Sequence, residues 1–375
     1  MKVSVTQTNL AKVLNQVIKA TAAKPNIPVL SNVLIKTEKS KIQFCATNLE
    51  IAISAWIGGD VLEEGSLTVN ARLLTEFVNQ LKSTTVELSQ AGSDLVVKSV
   101  DNRAQLYIIP AEEFPTLLVP AGEPDLVLPG VELSKAIDRT VIATAADQSR
   151  PVLTGLLLEA TKSKASLVGV DGFRLARKTL KLTSSNGEDR KEIIPAKSML
   201  EVSHLIADSS GKDLQVKVHF MKDKNQVLFS VGDIVLSTRL IDGEFPNYQQ
   251  IIPSESVATF TANKSDFDDA VKIINIFSRN VLGYKTLFKL DTTEKKLMLQ
   301  AKVQDVGNNE TKTPLSSVTG EDVETAFNSK YLSDMVGAIT GDQILFESNG
   351  VTAPGVFKDS EDEDYLHIVM PMRVE

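Results

Sequence analysis

The chain repeats itself. "NLAKVLNQVIKATAAKPNIPVLSNVLI", beginning at Asn9, and "ELSKAIDRTVIATAADQSRPVLTGLLL", beginning at Glu132, share one plan: an amphipathic helix, a polar linker, Pro-Val-Leu, then an apolar strand. Leu10 to Leu133 is a step of 123 residues, and so is Pro28 to Pro151, so the register holds without a gap. A second helix recurs three times, in "VNARLLTEFVNQL" from Val69, "IPAKSMLEVSHLI" from Ile194 and "FNSKYLSDMVGAI" from Phe327, each opening on a basic residue. "KSDFDDAVKIINIFS" from Lys264 supplies the third copy of the first helix. Repeats at a fixed period constrain a fold more than any local signal, because each unit must take the same shape and stack or pair with its neighbours.

At 375 residues the chain is too long for one ordinary core. The repeats place units at 1–121, 130–253 and 254–375, with the Pro/Gly-rich "VPAGEPDLVLPG" as one linker and "IIPSES" as a shorter one. Between helices the sequence alternates with period two, as in "SKIQFCATNLEIAISAWI", "SDLVVKSV", "RAQLYII" and "KKLMLQAKV". The expected fold class is α+β: three repeated domains, each with two helices packed on antiparallel sheets.

No stretch reaches the ~20 apolar residues of a membrane span, and "MKVSVTQTNLAKVLNQ" lacks the apolar core of a signal peptide, so a cytoplasmic protein is expected. The single cysteine, Cys45, excludes an internal disulfide and reads as a small buried strand residue. No GxxxxGK or GxGxxG loop is present, and His204, His219 and His367 have no partner at metal-ligand spacing. Nothing calls for a catalytic residue, a cofactor or a metal. The acidic run "EDED" at 361–364 is the segment a metal-dependent nuclease would use, but a short acidic run before a final strand is more often a solvated loop.

The net charge of −8 argues against a strongly basic nucleic-acid coat. Charge is uneven, however. The first helix carries Lys12 and Lys19 with no acid, seven positions apart and so on one face. The second is expected to carry Arg72, Glu76 and Lys82, the third Lys135 and Arg139 against Glu132 and Asp138, and the fourth Lys197 and Glu201. A shared helix face would be mildly basic over an acidic body. A few flexible lysines facing phosphates give weak, sequence-blind attraction that permits sliding.

"KPNIPVLSNVLI", "VDGFRLA", "DGEFPNYQQIIP", "FNSKYL" and the terminal "IVMPMR" occur in order, and together they resemble the bacterial DNA polymerase III beta subunit family, the sliding clamps. The resemblance spans the chain. It implies a non-catalytic, head-to-tail homodimeric ring that encircles double-stranded DNA without sequence preference. Such a ring tethers the replicative polymerase and also meets a clamp loader and repair polymerases, which dock short linear motifs.

Matched residue by residue, the docking groove would draw on Leu153, Val170, Gly172, Phe173, Arg174 and Leu175, on Pro246, Gln250 and Ile251, and on Asn328 and Tyr331. The chain end would add Val369, Met370, Pro371, Met372 and Arg373, with Leu282, Val351 and Ala353 as looser matches. Methionine suits a surface that receives varied apolar side chains. Gln250, Phe173 and Glu375 depart from the family pattern and make the groove less basic. Lys24, Arg72 and Arg150 match basic family positions that meet DNA, and Lys12, Lys19, Lys82, Lys135, Arg139 and Lys197 would join them. The dimer seam would set Leu106, in "RAQLYII", against Ile276 and Phe277. A protein-interaction scaffold that never touches DNA is the remaining alternative, favoured only by the net charge.

Overall fold

The computed structural model describes residues 1–22, 25–209, 211 and 213–374. Lys24 and Glu375, both singled out above, lie outside the described residues. The first repeat runs β1 (Lys2–Thr6), α1 (Gln7–Val17), β2 (Asn32–Glu38), β3 (Lys41–Thr47), β4 (Ile51–Gly58), β5 (Asp60–Glu63), β6 (Ser66–Asn70), α2 (Ala71–Gln80), β7 (Thr85–Ala91), β8 (Asp94–Lys98) and β9 (Arg103–Ile109). The second keeps that order. It runs β10 (Leu126–Pro129), α3 (Gly130–Val141), β11 (Gly155–Ala160), β12 (Lys164–Val170), β13 (Arg174–Lys181), β14 (Ser184–Ser185), β15 (Arg190–Pro195), α4 (Ala196–Ala207), β16 (Gln215–Met221), β17 (Gln226–Val231) and β18 (Ile234–Arg239). So does the third, with β19 (Ala258–Asn263), α5 (Lys264–Ser278), β20 (Lys285–Asp291), β21 (Lys296–Val303), β22 (Gly307–Pro314), β23 (Ser317–Gly320), β24 (Val323–Asn328), α6 (Ser329–Ala338), β25 (Gln343–Ser348), β26 (Gly355–Asp359) and β27 (Asp362–Val369). The α+β expectation and the threefold plan both hold, with every strand pair antiparallel.

The helices start where a short polar side chain closes the preceding strand. Thr6, Asn70, Asn263 and Asn328 each accept a hydrogen bond from a backbone N–H of the first turn, which satisfies a donor the helix cannot pair itself. In α1, Leu10, Val13, Leu14 and Val17 are buried at helical spacing, leaving Lys12 on the exposed side. One expected placement changes. Helix α2 ends at Gln80 with Leu81 already extended, so Lys82 lies in the exposed segment after the helix.

The chain folds into two compact units, and they do not follow the repeats. Met1–Ser134, Leu182–Glu188 and Glu201–Leu240 form the first, whose 14-stranded sheet is ordered β14-β10-β16-β17-β18-β4-β3-β2-β6-β9-β8-β7-β1-β5. Lys135–Lys181, Asp189–Leu200 and Ile241–Glu375 form the second, with a 9-stranded sheet β15-β11-β12-β13-β27-β26-β25-β19-β23 and a 4-stranded sheet β22-β21-β20-β24. The cause is strand pairing from one repeat to the next. In the first unit β18 pairs with β4, from Ile234 opposite Ala55 to Thr238 opposite Ile51. In the second β27 pairs with β13, from Arg174 opposite Val369 to Lys178 opposite Tyr365. Two separate ladders thus use the same two positions of the repeat.

The second unit is packed around phenylalanines: Phe260, Phe267, Phe288, Phe327, Phe346 and Phe357 share one core, with Phe260 and Phe346 stacked at 4.7 Å. Beside this core sits a buried ion cluster that corrects an expectation. Arg139 is only 6% exposed. Its Nη2 donates to Asp359 Oδ2 at 2.8 Å, its Nη1 to Asp362 Oδ2 at 2.5 Å, and its guanidinium lies 3.8 Å from the centre of the Tyr365 ring. Lys178 Nζ donates to the other oxygen of Asp362 at 2.6 Å. Arg139 is therefore committed inside the protein and is not part of a DNA-facing surface, despite sharing a helix face with Lys135.

Removing one partner of a buried pair strands the other charge, so Arg139→Ala should lower the unfolding free energy by about 3 kcal/mol, read from urea denaturation. An exposed change such as Lys135→Ala should stay within about 0.5 kcal/mol of the parent.

Candidate docking groove and basic helix faces

Several expected groove residues gather in the second unit. Leu153, Val170 and Leu175 are buried in one apolar cluster, and Ile251 packs against it half-buried. The cluster also contains Phe245 and Tyr248, which the sequence reading passed over although both lie within "DGEFPNYQQIIP". Tyr248 Oη donates to Glu159 Oε2 at 2.6 Å, and burial followed by this carboxylate pushes its hydroxyl up to about 12. The donor therefore stays protonated and pins the segment that carries exposed Pro246 and Gln250.

The rim is set by a tight turn. Asp171 Oδ1 accepts from the backbone N–H of Phe173 at 2.8 Å and of Arg174 at 2.9 Å, an Asx turn with Gly172 at φ +94°. A side chain at Gly172 would also meet the flexible end of Arg150, at 2.9 Å from Nη2, so it is the positive φ that favours glycine here. The turn holds Phe173 62% exposed. An aromatic ring displayed to solvent by a locked turn is poised to be covered. Arg174 is not displayed. It bonds Asp171 and Asp334 at 3.0 and 2.6 Å and stacks 4.3 Å over the Tyr331 ring, which ties the turn to α6. Asn328 acts as the cap of α6. The same Asx turn recurs in the first unit, where Asn48 Oδ1 accepts from Glu50 and Ile51. There Leu49 stands at φ +76° in the place of Gly172.

The chain end forms the opposite wall. After Val369, fully buried at the close of β27, the Met370 N–H donates to the Phe173 carbonyl at 2.8 Å, and the Met372 N–H donates to the Ala326 carbonyl at 2.7 Å. Met370, Pro371 and Met372 are half-buried and Arg373 is exposed. A side chain on Gly283 would come within 2.9 Å of Met372 Cε, so this methionine lies against the turn that bears Leu282, which is 96% exposed. Val351 is half exposed and its carbonyl accepts from Thr325 Oγ1, beside Ala326; Ala353 is half-buried close by in sequence. A cavity of about 890 Å³ borders this wall, between Val281, Lys285, Lys302 and Val374.

Among the basic residues, Lys12, Lys19, Arg72, Lys82, Lys135, Arg150 and Lys197 are exposed. Lys19 lies 3.7 Å from both Glu201 and Asp208, and Arg72 Nε donates to Glu76 at 2.8 Å. Exposed ion pairs are weak, so both cations remain available to a stronger anion. The expected seam residues separate. Ile276 is 55% exposed and Phe277 half-buried on α5, with Ile273 exposed one turn earlier. Leu106, by contrast, is already buried within β9, and the residue presented to solvent is Tyr107, at 88%.

"EDED" is taken up by the ion cluster through Asp362, and among the described residues no group of three acidic, histidine or cysteine side chains could hold a metal.

Three family models match the chain: the N-terminal domain of the DNA polymerase III beta subunit over residues 1–118, the central domain over 127–247 and the C-terminal domain over 249–373. The chain belongs to the DNA polymerase III beta subunit family. A beta sliding clamp from Synechocystis is 27% identical, with all of both chains covered. A crystal structure of a sliding clamp from Pseudomonas aeruginosa bound to griselimycin is 26% identical, with a TM-score of 0.93 and all of both chains covered. The sliding clamp of Bacillus subtilis, at 23% identity and a TM-score of 0.94, shares the fold over all of both chains. The clamp is a processivity subunit of the polymerase and is not itself catalytic. No helix among the described residues is long and apolar enough to cross a membrane.

The strand that ends at the clamp's groove carries a pH signature. His367 is fully buried, its Nδ1 is 3.1 Å from Tyr365 Oη, and burial pushes its imidazole from 6.5 down to about 3. The unfolded chain takes up this proton below pH 6.5 while the folded one does not, so stability falls as pH drops from about 6.5 toward 3. Asp359, held below its usual range by the hydrogen bonds from Thr340 and Glu361 and by Arg139 against the cost of its burial, acts in the same direction. Thermal unfolding of the parent should therefore weaken between pH 7 and 5. His367→Gln should flatten that slope.

Proposed function

We propose that two copies of this chain close head to tail into a ring around duplex DNA. The repeats then correspond to three clamp domains, 1–121, 130–253 and 254–375. The observation that carries the reading is a missing ladder. In each repeat the third strand of the five-strand run, β4, β13 or β22, occupies one position, and the last strand, β9, β18 or β27, another. Within the chain, β18 pairs with β4 and β27 with β13. That leaves β22 and β9. Among the described residues β22 pairs on one side only, with β21, and Arg103–Tyr107 of β9 pair only with β8. Two open edges of matching type on one chain define a heterologous contact that a second copy can satisfy at both ends.

The helix beside β22 supports the same contact. Aligned on their capping residues Thr6 and Asn263, α1 and α5 carry Gln16 and Lys19 against Ile273 and Ile276. The α5 stripe is apolar where the α1 stripe is polar, as expected of a surface buried on association. Glu113–Phe114–Pro115 and Glu244–Phe245–Pro246 align β9 with β18, and Lys181 and Pro314, paired with Lys164 and Lys296, align β13 with β22. Transferring the register would set Gly307–Thr311 antiparallel to Arg103–Tyr107 of the second copy.

Inside the ring, Lys12, Lys19, Arg72, Lys82, Lys135, Arg150 and Lys197 supply a sparse basic lining. Few phosphate contacts keep direct affinity low, so retention comes from topology and the ring slides. On the outside, Phe173, Leu282 and the Met370–Met372 wall receive short linear motifs of the replicative polymerase, the clamp loader and repair polymerases. The compartment inferred is the cytoplasm.

Two experiments test this. Arg103→Cys combined with Thr311→Cys should give an interchain disulfide on mild oxidation, because directly opposed residues bring Cβ atoms to about 5 Å. Buried Cys45, whose thiol burial pushes up to about 11, does not compete. A dimer that persists without cross-linking rejects the register. Protein loaded on nicked circular plasmid by a cognate clamp loader should be released when the plasmid is cut; protein that stays on the linear product binds DNA directly, and the ring reading fails.

A further inference from the structure

The repeats share an aromatic seat on one sheet face, and two of them fill it from within. In the second repeat Phe245 and Tyr248 share a cluster with Leu157, Val168, Val170, Leu175 and Ile193. The ladders there set Leu157 opposite both Ile193 and Val168, and Val170 opposite Leu175. In the first repeat Leu34 stands opposite Cys45, and Phe114 joins Cys45 in a cluster against which Leu34 and Leu117 pack. Both phenylalanines arrive in the same short segment, Glu113–Phe114–Pro115 and Glu244–Phe245–Pro246.

The third repeat offers the same ladder positions with different contents. Leu287 stands opposite both Ala326 and Gln300, and Lys302 opposite Asn308. Phe288, Leu290, Leu297 and Leu299 turn into the phenylalanine core, so by alternation Leu287, Gln300 and Lys302 lie on the opposite face of the sheet. Leu287, Gln300, Lys302 and Asn308 all line the cavity of about 890 Å³ beside the chain-end wall, and no aromatic side chain lines it. The seat is therefore open, and Gln300 and Lys302 replace the valines of the second repeat.

Its charges are also unspent. Glu324 is engaged by Lys289 at 3.1 Å, and Gln300 donates to Glu310 at 2.6 Å. Among the described residues Lys302, which is exposed, and Lys285, which is half-buried, have no partner. Asp305, in the turn joining β21 to β22, is the one lining carboxylate left unpaired among the described residues. Two free ammonium groups over an apolar floor of Val281, Leu287 and Val374 suit a ligand that brings both a carboxylate and a ring.

We propose that this cleft docks a segment of a partner protein in which an acidic residue precedes an aromatic one. The ring takes the seat that Phe114 and Phe245 fill elsewhere, and the carboxylate meets Lys285 and Lys302. That the same partner also holds the groove rests on the docking reading above: Val374 lines the cleft, and Met370–Met372 form the adjoining wall.

The test uses the full-length protein and a fluorescent peptide copying residues 242–249, Asp-Gly-Glu-Phe-Pro-Asn-Tyr-Gln, read by anisotropy. The peptide should bind, and its Phe245→Ala form should not. Lys302→Glu in the protein should weaken binding several-fold, and the Glu244→Lys peptide should recover it on that variant. Phe173→Ala, which changes the groove but lines no part of the cleft, should leave the peptide's affinity unaltered. Absence of binding, or binding indifferent to both Lys285→Glu and Lys302→Glu, overturns the proposal. Binding lost in Phe173→Ala but kept in Lys302→Glu puts the peptide in the groove, which rejects the cleft and leaves the groove reading standing. Lysine variants that keep the peptide but shift the monomer–dimer balance in sedimentation mean that a second copy covers the cleft, and the proposal fails. The groove reading falls separately, if a replicative polymerase binds Phe173→Ala as well as it binds the parent.

Discussion

The antiparallel ladder between β13 and β27 is the interaction on which the rest of the second unit depends. Five residue pairs, from Arg174 opposite Val369 to Lys178 opposite Tyr365, join a strand of the middle repeat to the last strand of the chain. Both walls of the groove hang from its ends. Phe173 leaves β13 through the Asx turn, Met370 leaves β27 one residue after Val369, and the two meet through a single backbone hydrogen bond. The register of the ladder, more than any groove side chain, decides whether those walls face one another.

The ladder is held at its other end by charge. Arg139, Lys178, Asp359 and Asp362 are drawn from α3, β13, β26 and β27, and Asp359 accepts in addition from the Thr340 hydroxyl and the backbone N–H groups of Thr340, Gly341 and Glu361. A buried ion cluster is a poor source of net stability but a good source of specificity, because a slipped register would leave its charges unmatched. Among the described residues the matching ladder of the first unit has no such cluster. It relies on Ile53, Ala55, Leu236 and their buried neighbours, and on Gln16 where the second unit has Arg139.

Sequence alone made the repeat, the fold class and the family legible, since all three rest on patterns that survive in one dimension. It also located the groove strands, because "VDGFRLA" and "IVMPMR" are contiguous. It failed where the answer lies in a distant partner. Arg139 shares a helix face with Lys135, and nothing nearby in sequence announces that Asp359 and Asp362, some 220 positions on, will enclose it. Leu106 needs a further distinction: period-two alternation gives two faces but not which is outside, and on β9 the side chain presented to solvent is that of Tyr107. Ile273 could have been found from Ile276 by stepping back one helical turn. Phe245 and Tyr248 lay inside "DGEFPNYQQIIP", a motif already used for the resemblance.

The open edges of β9 and β22 have a consequence for assembly beyond the dimer. A chain with one donor edge and one acceptor edge can in principle add copies without limit. Whether it stops at two is a matter of the turn accumulated from one edge to the other, to which each internal ladder contributes. A change that slid β27 against β13 by two residues would keep every side chain on its proper face and leave both outer edges intact. It would nevertheless alter the pitch, and copies that no longer met would grow into an open helical filament. For this architecture the difference between a closed circle and a fibre is stored in the internal registers, far from the surfaces that join one chain to the next.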